Sequence, residues 1–184
     1  MKIKPIIVFF LLVFSSSYAN APSLLFTTNS GSIVFTSDAP LELIQANSSQ
    51  LKGWLNSDSK QFSFAVNIRS FKGFKVSAQQ KHFNENYLES DKYPQASFEG
   101  KIIEDLDLHR DGLYSIRAKG NLSIHGVVQE RIIKCSLTIK NGQVNVKANF
   151  IVLLVDHNIT IPKILSQKLA SDIKIEVKTD LVEK

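Results

Sequence analysis

Apolar and polar residues alternate with a period of two along most of the chain after Ser30, and this pattern constrains the fold more than any other feature. Successive side chains of a β-strand point to opposite faces, so such a segment buries one face and exposes the other. In the clearest segment, 61–69, four apolar residues share a face: Phe62, Phe64, Val66 and Ile68. The pattern therefore predicts strands that each bury one side.

Several other segments repeat the alternation. The strongest are 113–125, 131–140, a segment that begins at Gln143, and 172–178, with shorter ones near 31–37, 42–55 and 96–104. Asn141-Gly142 is a strong signal for a two-residue hairpin turn, because both residues tolerate positive φ. At least eight strands joined mostly by tight turns fit an antiparallel sandwich or a closed antiparallel β-barrel. Closure would remove exposed edges, and eight strands enclose room for side chains or one slender ligand.

Two short helices are predicted between strands. Ser77 and Gln80 have the spacing of a capping box, and Phe83 and Tyr87 follow one turn apart. Pro162 is a favoured first helical residue, and apolar side chains follow it at helical spacing: Ile164, Leu165 and Leu169. The predicted class is thus all-β, with an eight-stranded barrel and one or two short helices.

The first residues have the three-part layout of a secretory signal peptide: Lys2 and Lys4, the apolar run 6–14, and the small residues of 15–21. A membrane anchor is the alternative, but the run is shorter than the roughly 20 residues a spanning helix needs. Cleavage after Ala19 divides the chain into a leader, 1–19, and one domain, 20–184. The predicted location is the periplasm or the secreted fraction.

Charge and cysteine content narrow the function. Without the leader's two lysines, 20 basic residues face 17 acidic ones, and they are scattered. Nucleic-acid binding needs a basic patch, so it is not expected. The weak positive charge is compatible with transient contact with an anionic membrane surface or a membrane protein. Cys135 is the only cysteine, which excludes an internal disulfide, and its alternation predicts a small buried apolar residue.

Catalytic motifs are not found in the sequence. It has no Gly-x-Ser-x-Gly elbow, no phosphate-binding glycine loop and no histidine pair at helical spacing. His125 and His157 could serve as metal ligands, or as a general base with Asp156, but metal sites need three or four ligands. Hydrogen bonding at a turn is the favoured role of His125. We therefore expect neither an enzyme nor a metal site.

Several segments, taken in order, resemble one family. They are IVFTS (33–37), FSFAV (62–66), SF (70–71), HFNENYLE (82–89), KYPQASF (92–98), GNLSIHGV (120–127) and FIVLLVDHNITIP (150–162). Together they resemble the YceI-like family, the lipid- or polyisoprenoid-binding domain of bacterial periplasms, over residues 24–180. The resemblance implies a lipocalin-like, elongated barrel whose hydrophobic channel holds an isoprenoid or another long apolar molecule. Many members have an aspartate-rich approach to the helix where this chain has Ser77-Ala78-Gln79-Gln80, which implies a different headgroup.

The channel of such a barrel would be lined by inward residues of the predicted strands. Ala118 and Gly120 are inward positions with little side-chain volume, and a dense interior rarely leaves such gaps unfilled. The predicted lining is Phe62, Phe64, Val66, Phe98, Ile116, Ala118, Gly120, Leu122 and Phe150. The alternatives are that these residues are simply core, and that Gly120 marks a bend or bulge of the wall.

Three functions are compatible with these features. The first is a periplasmic carrier or binding protein for a long isoprenoid or similar lipid, with no other cofactor. The second is a non-catalytic accessory or stress-response protein that acts through a membrane protein partner. The third is an enzyme that acts on a lipid headgroup through His125 and Asp156.

Overall fold

The computed structural model describes residues 24–184, which form one closed barrel of eight antiparallel strands. The strands are β1 (Leu25–Asp38), β2 (Leu43–Asn56), β3 (Gln61–Asn67), β4 (Gln95–Ile102), β5 (Gly112–Ile124), β6 (Val127–Lys140), β7 (Gln143–Leu153) and β8 (Asp172–Glu183). Each strand pairs with its neighbours in sequence, and β1 also pairs with β8. The predicted antiparallel barrel is confirmed, and the sandwich is not formed. The predicted leader lies outside the described residues and stays a prediction.

The alternation places the apolar residues inside the barrel as predicted. On β5, Ile116, Ala118 and Leu122 are buried, whereas Arg117 and Lys119 are exposed. The hairpin turn between β6 and β7 is also confirmed, since Asn141 and Gly142 both have positive φ, 51° and 73°. Several strands extend beyond the predicted segments, because β1 begins at Leu25 and β8 reaches Glu183.

The helical predictions are half right. Helix α1 (Ser77–His82) continues into a π-helical turn, Phe83–Tyr87, and together they make one helix of 11 residues. The capping box is wrong, because Val76 is the N-cap and the Gln80 amide donates to the Phe71 carbonyl oxygen at 3.2 Å instead.

The helix predicted from Pro162 is also wrong. Only a 3₁₀ turn, Lys163–Leu165, forms there. Short helices are marginal without packing of an apolar face. Ile164 is 89% exposed, so its side chain gains little from packing. Residues 24–184 include no helix that is both long enough and apolar enough to cross a membrane.

The two ends of the barrel differ. One end carries the turns 57–60, 103–111 and 141–142 and is called the sealed end. A tight core fills it, and each of its side chains is at most 4% exposed: Phe26, Leu55, Ile102, Leu108, Ile139, Val144 and Leu181. The opposite end, called the open end, carries the loops 39–42, 68–94 and 154–171, the turn 125–126 and α1, which lies within 68–94. The two longest connections of the fold, 68–94 and 154–171, are therefore gathered at one end.

Candidate ligand-binding cavity

The barrel encloses a cavity of about 370 Å³. Every strand contributes to its wall, and the side chains that line it are almost all aliphatic or aromatic. The most exposed lining residues, His82 and Lys168, lie at the open end, whereas lining residues Leu55 and Ile102 are buried in the sealed end. Small-molecule sites have volumes of roughly 300–1,000 Å³, so the cavity has the size and polarity of a site for an apolar ligand.

Aromatic rings line the cavity in two groups. The deep group consists of Phe62, Phe64 and Phe98 on β3 and β4, with the Phe62 ring centroid 5.1 Å from that of Phe98 and 6.2 Å from that of Phe64. The outer group lies near α1, and its ring centroids are 5.1–6.0 Å apart: Phe35, Phe71, Phe74 and Phe83. Such tilted and stacked pairs hold one another in place. The groups form fixed apolar walls at two depths.

Eight of the nine residues predicted to line the channel do line this cavity. They are Phe62, Phe64, Val66, Phe98, Ile116, Ala118, Leu122 and Phe150. Their alternation was sufficient to place them, because a closed barrel has only one inner face. That they contact a ligand stays a prediction.

Gly120 is the exception, and its predicted role is corrected. It does not line the cavity, and a Cβ atom placed on it would lie 2.3 Å from the Glu99 carbonyl oxygen of β4. Gly100, its partner in the regular β4–β5 register, would bring a Cβ within 2.1 Å of the Lys119 carbonyl oxygen. Gly120 marks neither a ligand path nor a bulge. It permits a close approach of two backbones.

Sequence reasoning missed the lining residues that come from the open end. These are chiefly Phe71, Phe74, Phe83, Tyr87, Leu165 and Leu169. A signal was present for two of them, since Phe83 and Tyr87 were predicted to share a helix face. Leu165 and Leu169 belonged to the helix predicted after Pro162, which does not form. Phe71 and Phe74 lie in an irregular segment, where no periodicity assigns a side chain to a face.

Charged and amide side chains line the cavity only at its mouth. The Gln79 amide donates to Glu42 Oε1 at 2.7 Å, and His82 and Lys168 lie exposed beside them. Burial raises the pKa of the Tyr87 phenol, which therefore stays a neutral hydrogen-bond donor. The mouth can donate hydrogen bonds and offers a positive charge. The interior offers almost only apolar contact, because the Thr179 hydroxyl that lines it already donates to Thr28 Oγ1 at 3.0 Å.

Comparison with known families identifies the chain. Residues 23–181 match the YceI-like domain family. The chain belongs to this family. The match covers nearly all of the described barrel, as the resemblance predicted, whereas a search of curated proteins finds no match.

Solved structures share the YceI-like barrel at low identity. A polyisoprenoid-binding domain from Saccharophagus degradans aligns with a TM-score of 0.70 and 12% identity, covering 89% of this chain and 100% of its own. Burkholderia cenocepacia BcnA aligns with a TM-score of 0.68 and 12% identity, covering 82% of this chain and 95% of its own. A Campylobacter jejuni YceI protein aligns with a TM-score of 0.54 and 13% identity, over 100% of this chain and 99% of its own. At these identities the likeness shows a common fold.

Cys135 faces the cavity of the YceI-like domain, as its alternation predicted. Its thiol is half-buried among the lining residues, and burial is the main reason that its pKa rises to about 11, with a smaller contribution from Glu104. Only the thiolate is a strong nucleophile. A charged thiol reagent is therefore expected to label native protein much more slowly than protein unfolded in urea, as followed by intact mass. Equal rates in the two states would place the thiol on the outer face.

His125 and His157 form a structural link between loops. His125 Nδ1 lies 3.1 Å from the His157 carbonyl oxygen, and its ring packs edge-on to Tyr93 with centroids 4.7 Å apart. His157 is fully buried and donates from Nδ1 to the Val127 carbonyl oxygen at 3.2 Å. Neither ring lines the cavity, and Asp156 lies 3.7 Å from Arg131 instead. Within 24–184, no group of three or more potential metal ligands is found.

Burial lowers the pKa of His157 from its ordinary value of 6.5. Below a pH of about 6.5 the His157 imidazole is protonated in the unfolded chain, whereas burial keeps it neutral in the folded protein. The free energy of unfolding is therefore at its full value above this pH and decreases as the pH falls. The urea midpoint is expected to decrease from about pH 7.5 to about pH 5.5, and His157→Gln should flatten that slope. The exposed His109→Gln is the matched control and should keep the slope. A slope unchanged in His157→Gln would contradict the assignment.

Proposed function

We propose that this YceI-like domain is a non-catalytic binding or carrier protein for a long isoprenoid or a similar apolar lipid held inside the barrel. The observation that carries the proposal is the cavity of about 370 Å³, whose apolar wall leads to a polar mouth at one end. The S. degradans domain of the same fold is described as polyisoprenoid-binding, which supports this ligand class.

The driving force would be the removal of apolar ligand surface from water. Each buried methylene contributes roughly 0.8 kcal/mol, so several isoprene units give substantial affinity without any polar contact. The walls hold no ionisable group deep in the barrel apart from the Cys135 thiol, which stays neutral because its pKa is about 11. Selectivity for a headgroup would then come from the mouth, where Gln79, Tyr87 and Lys168 can meet polar atoms.

The same geometry argues for binding rather than turnover. A chain held in the cavity would not meet His125 or Asp156, because neither residue lines it. Catalysis would need a reacting bond within hydrogen-bond reach of such groups. We therefore propose that the bound lipid leaves the protein unchanged.

We also propose that the protein acts in the periplasm after loss of its leader. The basic start, apolar run and small residues of the first 19 positions support export. Protein recovered from the periplasm is expected to begin at Asn20 when its N-terminus is sequenced. Material that retains Met1 would contradict this part of the proposal.

Cys135 provides a direct test of occupancy. Delipidated protein is incubated with increasing amounts of a twenty-carbon isoprenoid alcohol and is then labelled with N-ethylmaleimide, a small uncharged reagent. The ligand is expected to slow labelling by tenfold or more, because chain and reagent compete for the volume beside the thiol. The control is Leu113→Cys in a Cys135→Ser protein, whose site is 77% exposed on the outer wall and should not respond. Unprotected Cys135 at saturating ligand would place the chain elsewhere.

A further inference from the structure

Three large aliphatic side chains project into solvent around the mouth of the cavity. Leu41 is 71% exposed in the turn after β1, Val76 is 56% exposed at the start of α1, and Ile164 is 89% exposed in the loop before β8. These three side chains are here called the rim tips. Exposed apolar groups that cluster in one place mark an interaction surface, whereas isolated ones need no explanation.

The rim tips lie on loops that are tied to one another and to the cavity. The Leu41 amide donates to the Gln167 carbonyl oxygen at 2.8 Å, which joins the first and third loops. The Gln79 side chain holds Glu42 at 2.7 Å, which joins the first loop to α1. Glu42 and Gln79 both line the mouth. The three tips therefore surround the opening through which a ligand would pass.

Charge around the rim tips is positive, and the open-end loops 39–42, 68–94 and 154–171 as a whole contain seven lysines or arginines and five acidic residues. Segments 39–43, 71–76 and 159–170 contain four lysines and a single acidic residue, Glu42: the lysines are Lys72, Lys75, Lys163 and Lys168. All four are exposed, and within the described chain none forms an ion pair. The acids of the neighbouring segment are already paired, Glu85 with Lys81, Glu89 with Lys92 and Asp91 with Arg69. The open end thus presents free cations beside apolar tips.

The sealed end has the opposite charge. Turns 57–60, 103–111 and 141–142 contain five acidic residues and two lysines or arginines. An approach to a negatively charged surface would therefore turn the open end toward it, since the two ends of the barrel differ in sign. The mouth of the cavity would face that surface.

We infer that the open end docks on an anionic lipid bilayer. The rim tips would enter the headgroup region, and the four lysines would contact anionic headgroups, each contributing about fivefold to binding. Apolar insertion combined with basic residues is the pattern of proteins that lie at a membrane interface. This inference rests on the proposed function, because docking in this orientation lets an apolar chain pass between bilayer and cavity without crossing water.

Vesicle co-sedimentation tests the docking surface. Delipidated full-length mature protein is mixed with vesicles of equal parts phosphatidylglycerol and phosphatidylethanolamine, without any isoprenoid. Binding is expected to fall by tenfold or more in Leu41→Ser/Val76→Ser/Ile164→Ser, and also in Lys72→Gln/Lys75→Gln/Lys163→Gln/Lys168→Gln. Phosphatidylcholine vesicles should bind the wild type far less, and added salt should release it.

Matched variants elsewhere on the barrel provide the controls. Ile103→Ser/Leu113→Ser/Val182→Ser removes three exposed aliphatic side chains away from the open end, and Lys101→Gln/Lys134→Gln/Lys140→Gln/Lys147→Gln removes four exposed lysines. Both are expected to bind anionic vesicles as the wild type does, within about twofold. Equal losses in the rim and control variants would overturn the docking surface. The docking surface would also be overturned if the wild type were a dimer that the rim variant dissociates, and if the wild type did not bind vesicles.

A positive readout keeps the test independent of folding defects. In a Cys135→Ser protein, an environment-sensitive fluorophore on Ile164→Cys should shift to the blue on anionic vesicles, while the same fluorophore on Leu113→Cys should not. Docking fails if neither shifts. Uptake of an isoprenoid from detergent solution is measured separately, so that a failure of docking and a failure of lipid binding give different results.

Discussion

Replacing Ala148 with phenylalanine is expected to empty the barrel of its ligand while leaving it folded. Ala148 lines the cavity at mid-height, between Cys135 on β6 and Val177 on β8. A benzyl group there would occupy volume that the proposed chain needs. Displacing only two buried methylenes costs about 1.6 kcal/mol, so we expect binding to weaken at least tenfold. Overpacking costs about 1–3 kcal/mol, which a stable barrel survives.

The measurement is lipid per protein after organic extraction, with circular dichroism to confirm the fold. Asn149→Phe is the matched control, because the next residue of β7 points outward and is exposed. It should retain the wild-type lipid content. A folded Ala148→Phe protein with full occupancy would show that the ligand does not pass the middle of the barrel.

Gly120→Ala is expected to cause the largest loss of stability of any single methyl addition in β5. The new Cβ would lie 2.3 Å from the Glu99 carbonyl oxygen, and that oxygen cannot move without separating β4 from β5. Because backbone rather than a flexible side chain is in the way, we expect the free energy of unfolding to fall by about 3 kcal/mol or more, at the upper end of overpacking effects. Urea denaturation of the wild type and of Gly120→Ala measures this change in the free energy of unfolding.

Gly142→Ala separates this clash from the ordinary cost of replacing a glycine. Gly142 has a φ of 73°, but a Cβ there meets no atom within 4 Å. Only the left-handed backbone is penalised, at about 1–2 kcal/mol. Similar losses at both positions would mean that β4 and β5 relax around the added methyl group.

The sequence predicted the barrel wall well, for a simple physical reason. In a strand the side-chain period is two, so a run such as Phe62, Phe64 and Val66 assigns its own buried face without knowledge of its neighbours. Eight of nine predicted lining residues were placed on the cavity in this way. The pairing of β1 with β8 joins distant parts of the chain, and no local pattern distinguished closure from a sandwich.

Gly120 and Pro162 show what local sequence patterns cannot predict, namely the distances and contacts between elements. Alternation gives the face of Gly120 but not the distance between strands, and that distance decides whether a small residue leaves space or permits contact. The spacing after Pro162 suited a helix, but Ile164 is 89% exposed and gains little packing from the described residues. The outer part of the cavity was missed for the same reason, because tertiary contacts alone position residues such as Phe74.

Extraction of the native protein tests the central claim most directly. Protein expressed with its leader and purified from the periplasm without detergent is extracted with organic solvent, and the extract is analysed by mass spectrometry. The account predicts one class of long apolar molecule at close to one per protein, strongly reduced in Ala148→Phe. A folded wild-type protein that yields no such molecule, and that takes up no added long isoprenoid, would contradict it.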